Sequence, residues 1–189
     1  NLLDESKIYV EDCTIEHSEE LVNRLEEENV PLFLSGHLHV QHYMRNEEDR
    51  GIYEIVTSSL STPPCQYGVL EYRDDESFSY HTQQVDMEKW ARKHKSTDEN
   101  LLNFNTYAPA ALRTIFYNQS YDAMKDSEEE ETGDLFVKLT QRQKEQMSEV
   151  YAQLNAACYG GKAYEVVKEA TTTPAYKMWQ EYCYPMVLF

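Results

Sequence analysis

Long apolar runs are missing from this 189-residue chain, and no stretch approaches the eighteen or so consecutive apolar residues of a membrane span. Basic residues are scarce, with 17 Lys plus Arg against 34 Asp plus Glu and a formal charge of -17. Such a surface repels nucleic-acid phosphates. The densest positive cluster, Arg92-Lys93-His94-Lys95, is too short to reverse this, so nucleic acid is excluded as a partner of the outer surface. Cysteines are few and scattered (Cys13, Cys65, Cys158, Cys183) and form no Cys-x-x-Cys pair. That spacing excludes a zinc knuckle and a dense disulfide framework. A Gly-x-Ser-x-Gly elbow is also absent, and Ser58, Ser59 and Ser61 lie in a loop, which speaks against a nucleophilic hydrolase. Neither an initiator Met nor a signal-peptide pattern opens Asn1-Leu2-Leu3-Asp4, so the chain reads as a piece of something longer and its compartment stays open.

Hydrophobic residues make up 41% and charged residues 27%, which is ordinary for a globular protein able to bury a core. The first 84 residues mix helix and strand signals. Ser18 is placed to cap a helix whose apolar stripe is Leu21, Val22 and Leu25. Pro31 follows, and Leu32-Phe33-Leu34 reads as a short buried strand running into Gly36. After a polar loop from Asn46 to Arg50 come three strand-like runs: Ile52 to Thr57, Tyr67 to Tyr72, and Phe78 to Thr82, the last two joined by a turn at Asp74-Asp75-Glu76-Ser77.

From Val85 the period becomes helical. Met87, Trp90, Ala91 and His94 share one face of a short helix, and Pro109 fits the first turn of the next, with Leu112, Ile115, Phe116 and Ala123 inward. A six-turn stripe runs through Phe136, Leu139, Gln143, Met147, Val150, Tyr151, Leu154 and Cys158 and closes at Gly160-Gly161. A helix through Val166 and Val167 stops before Pro174, and a last one carries Tyr176 and Trp179. The run Glu128-Glu129-Glu130-Glu131 between helices reads as a solvated loop. The expected class is α+β, with an α/β portion over 1–84 and a helical extension or cap over 85–189.

The chemistry concentrates in Gly36-His37-Leu38-His39. In extended chain the two imidazoles project to the same side, with α-carbons roughly 7 Å apart. They could then serve two metal ions about 3.5–4 Å apart, one each. Gly36 would let the backbone turn at the strand end. The four-residue string alone equally fits two histidines in a loop, hydrogen-bonded to backbone or water. His17 and His42 read as surface residues.

The longer context resembles the C-terminal part of the calcineurin-like metallophosphoesterases. In them a hydrophobic strand runs into Gly-His-x-His, as in Leu32 to His39, followed by a Ser/Pro segment like Ile55 to Pro63 and a glycine-bearing strand like Tyr67 to Tyr72. The resemblance covers residues 1–84 and implies the C-terminal half of an α/β sandwich of few strands and one or two helices. It makes His37 and His39 the last protein ligands of a dinuclear centre of divalent Mn, Fe or Zn. The implied reaction is hydrolysis of a phosphate-ester substrate by a metal-bound hydroxide. The family's earlier motifs (Asp-x-His, Gly-Asp-x-x-Asp, Gly-Asn-His-Glu) are absent, and the resemblance gives Asp4, Glu5 and Asp12 no role. The chain by itself is therefore expected to be inactive, with the two metal ions belonging to the intact protein, and to pair with a missing N-terminal half or a second copy across an open sheet edge. The alternative is a non-enzymatic helical interaction module, supported by the stripe from Phe136 to Cys158 and by 15 tyrosines.

Overall fold

A computed structural model of the chain describes residues 1–3, 13–45, 51–75, 77–126, 134–170 and 172–183. Asp4, Glu5, Asp12, the loop 46–50, Glu76 and the run Glu128 to Glu131 lie outside the described residues, as does the side chain of Cys183.

Helix α1 (Ser18–Glu27) lays Leu21, Val22 and Leu25 against a core of Leu2, Leu3, Val40, Met44, Ile52 and Val56. Ser18 does not cap it. The cap position is His17, in the left-handed region at φ 59°, and it makes no side-chain capping bond. His17 itself is exposed, as the sequence suggests.

Strands β1 (Leu32–Ser35), β2 (His42–Arg45) and β3 (Tyr53–Val56) form one sheet in the order β1-β3-β2. β3 is central, parallel to β1 and antiparallel to β2. β2 was not foreseen, because His42-Tyr43-Met44-Arg45 carries only one apolar aliphatic residue. It puts the half-buried His42 in a strand opposite Val56, not on the surface. One sheet face packs on the α1 core. The other carries Leu34, Ile55 and Tyr43 in register, with Leu34 at 50% and Tyr43 at 71% exposure.

Strands β4 (Gln66–Tyr72) and β5 (Phe78–Gln84) form a separate two-stranded hairpin. The Ser77 backbone N–H and hydroxyl both donate to Asp75, which holds the turn. Tyr80 lies over Gly68. A Cβ there would stand 2.3 Å from the Tyr80 hydroxyl oxygen, so only glycine leaves the ring its place. The hairpin meets the first sheet through an edge-to-face contact between Tyr53 and Phe78, and the Arg45 guanidinium lies over the Tyr53 ring, 4.6 Å from its centre.

From here on the described elements are helices: α2 (Met87–Lys93), α3 (Glu99–Leu102), α4 (Phe104–Asp126), α5 (Asp134–Val137), α6 (Gln141–Tyr159), α7 (Ala163–Ala170) and α8 (Pro174–Cys183). None of the described helices is long and apolar enough to cross a membrane. Asp86 and Asp98 cap α2 and α3 by accepting backbone N–H bonds. In α2 only Ala91 is buried, and Trp90 stacks on His94 on the outside. α4 begins five residues before Pro109, which therefore sits in its second turn and removes one helical hydrogen bond. Its inner stripe is Ala108, Leu112, Phe116 and Met124, whereas Ile115 and Ala123 face outward.

The six-turn stripe is two helices. The break is at Thr140, whose hydroxyl accepts from the Gln143 N–H while the Gln143 carboxamide accepts from the Thr140 N–H. Gln143 thus caps α6 instead of lining its core. α6 is the central post of the helical part. Met147, Val150 and Leu154 pack with Tyr176 and Trp179 of α8, Ala152 packs with Leu112 and Phe116 of α4, and buried Lys144 donates to the Met124 carbonyl near the end of α4. The stripe offered as an interaction surface is therefore consumed inside the fold. The class is α+β: two small sheets, then a helical region.

Candidate functional site

Three polar contacts tie down the end of β1. The Thr57 N–H and hydroxyl both donate to the Ser35 carbonyl, at 2.8 and 3.1 Å. The Ser35 hydroxyl donates to Glu54 at 2.6 Å. Glu54 is fully buried in the central strand and also accepts the backbone N–H groups of Leu2 and Leu3, at 2.8 and 2.7 Å. A buried carboxylate is tolerated when donors surround it, and this one has three. Sequence reasoning passed over Glu54. The signal was an acid at a core-facing register between Tyr53 and Ile55.

From this anchored end the chain leaves through Gly36 into a turn at His37-Leu38. The backbone is not extended here, so the same-side geometry expected of a strand does not apply. Gly36 does not occupy the left-handed region. Its reason is space, since a Cβ would stand 3.3 Å from the Thr57 hydroxyl oxygen. The residue that does adopt left-handed backbone is His39, at φ 59°. Residues other than glycine seldom sit there, and such strain collects at sites held from outside. His37 and His39 are both exposed, and neither ring makes a hydrogen bond, ion pair or ring contact among the described residues. Their nitrogens are thus free to take a ligand.

Among the described residues no third His, Cys, Asp or Glu joins them in a metal-holding group. Imidazole is a ligand type for Zn and Fe, and two imidazoles make only part of a ligand set. A complete ligand set is not present in the described part.

A cavity of about 940 Å³ opens elsewhere, between the outward face of the three-stranded sheet, the hairpin and the α6–α7 junction. His42, Tyr43, Tyr53, Phe78, Tyr80 and His81 line it, and neither His37 nor His39 does. Among the described residues the cysteines offer no nucleophile, and Cys13, Cys65 and Cys158 are buried. Burial pushes the Cys65 thiol up and raises that of Cys158 to about 11, so both stay protonated at neutral pH. Ser59 and Ser61 share a hydrogen bond with each other, and Ser58 bonds to Gln41, so among the described residues no base is bonded to them.

Residues 86–189, more than half of the chain, match the family described as the C-terminal domain of cyclic nucleotide phosphodiesterase. No curated protein matches the chain. The match corrects the resemblance to calcineurin-like metallophosphoesterases. The family that is found is this one, and it falls on the helical residues, for which the sequence suggested no family. Four residues around a pair of histidines are too short to carry a family assignment, and here they form a turn without a third donor.

Proposed function

Because this chain belongs to the family of the C-terminal domain of cyclic nucleotide phosphodiesterase, we propose that it serves a phosphodiesterase-type hydrolase in which His37 and His39 donate to divalent metal. Phosphodiesterase relatedness comes with the family. The metal and the histidine roles rest on one observation: two exposed, unengaged imidazoles on a strained turn at a firmly anchored strand end. The proposed substrate is a phosphodiester of the cyclic nucleotide class that the family description names.

When bound, Mn, Fe or Zn supplies Lewis-acid polarisation of a phosphoryl oxygen and lowers the pKa of water. The chain's own residues do the holding. Glu54, Ser35 and Thr57 fix the end of β1, and the turn that follows leaves both imidazoles exposed for a ligand to approach. In the hydrolysis water adds to phosphorus, one P–O ester bond breaks, and the leaving oxygen takes the proton. The remaining metal donors come from a further strand or a second copy joined at β1, which is an edge strand among the described residues. His37→Ala and His39→Ala in the full-length protein should each lower hydrolysis of bis-p-nitrophenyl phosphate and cyclic nucleotide by about 10²-fold or more with manganese or zinc supplied. Turnover equal to wild type in both would remove the pair from the mechanism.

A further inference from the structure

His39 is one of five described non-glycine residues with left-handed backbone, with His17, Asn29, Cys65 and Lys95, and the contacts on its C-terminal side hold the chain where it leaves the turn. The next two residues make those contacts. Val40 is buried in the core with Leu2, Met44, Ile52, Val56 and Cys158. The Gln41 N–H donates to the Cys158 carbonyl at 3.1 Å, an acceptor at the end of α6 that also takes the Gly161 N–H at 3.2 Å. The Gln41 side-chain oxygen then collects the Ser58 N–H, the Ser58 hydroxyl and the Tyr80 hydroxyl, at 3.4, 3.4 and 3.3 Å. Gly161, at φ 71°, lets α6 end without touching this cluster. A Cβ there would stand 3.1 Å from Gln41 Cγ and 3.3 Å from its carbonyl oxygen. Gly160 is looser, since a Cβ there would stand 3.8 Å from Pro64, in ordinary van der Waals contact.

We infer that the C-terminal end of α6 sets the His37/His39 turn, with Gln41 as the positioning residue that transmits its hold. The helical region that carries the family match is thereby a working support of the histidine pair and not a passenger beside it. The inference rests on the reading of that pair as metal donors, and it gives that reading a partner inside the same chain. Gln41 touches neither metal nor ester. It acts through His39, two residues upstream, by fixing where the turn must land. Outer partners that orient a ligand typically change metal affinity by about 10–100-fold when removed.

The test is metal binding by the full-length protein, read with Co²⁺ alone by titration and by its visible absorption. The Gly161→Ala and Gln41→Met variants should bind Co²⁺ about tenfold more weakly with an altered spectrum, at unchanged far-ultraviolet circular dichroism. Gln41→Glu keeps the accepting oxygen and should stay within about threefold of wild type. Without metal, the His37 and His39 ring resonances should move in Gly161→Ala. Wild-type Co²⁺ affinity and unmoved ring resonances in both Gly161→Ala and Gln41→Met would overturn the inference. If those two variants bind normally while His39→Ala loses Co²⁺, the support role fails and the metal reading stands. If His37→Ala and His39→Ala bind Co²⁺ like wild type, the metal reading fails. The ring resonances then judge α6 alone: movement upholds its hold on the turn, and none rejects it.

Discussion

The helical and the sheet-bearing regions of this molecule solve the burial problem to different degrees. The helices around α6 close two clusters using only their own residues, Met124 to Trp179 in one and Leu112, Phe116 and Ala152 in the other. The sheets do not close. Their main cluster needs Cys158 from α6, a two-stranded hairpin stands alone, and Leu34, Tyr43 and Tyr72 are exposed. Two strands are marginal in isolation, so the hairpin depends on neighbours. The difference teaches that the helical region is the scaffold and the sheet region leans on it, through the same α6 end that meets Gln41.

The largest way to break that comparison is Glu54→Ala, which strands three donors in the sheet core. It should destabilise the sheet region by about 3 kcal/mol or more. Urea unfolding followed by circular dichroism should then lose the strands first and the helices later, and a single coincident transition would mean the two regions share one stability. A smaller effect probes the shared residue. The Cys158 thiol is raised to about 11 by burial from an ordinary value of 9.0. The folded state therefore holds its proton more tightly than the unfolded chain, and the associated stability is complete below pH 9 and lost as pH rises towards 11. The loss should be on the order of 2 kcal/mol, and Cys158→Ala should flatten the alkaline limb of a stability curve. The smallest effect is Thr140→Ala, which removes one side of the α6 capping box and should cost about 1 kcal/mol. Its effect on the melting of the helices should exceed that on the strands.

Much of the element order was legible because apolar periodicity reports burial directly. Leu32-Phe33-Leu34, the hairpin with its Asp75 turn, the stop at Gly160-Gly161 and the end of α7 before Pro174 all follow from local chemistry. The errors came where tertiary placement overrides pattern. Trp90, Ile115 and Ala123 have helical spacing yet face outward, because α2 and α4 bury only part of what is apolar on them. β2 was missed because its pairing with β3, not its own composition, makes it a strand. Of the candidate site, His37 and His39 could be read from type and spacing. Their turn, the left-handed His39 and the reliance on Gln41 and α6 join residues more than a hundred positions apart, and no window along the chain contains them both.

The Tyr80 ring lying across Gly68 gives the hairpin a role at long range. A methyl group at position 68 would meet the far end of a side chain that can swing aside, so folding would tolerate it. The swing would carry the phenol away from the Gln41 carboxamide and unfasten the hairpin from the histidine loop. A single missing side chain in one strand thus keeps a latch shut between two sheets that share no backbone ladder.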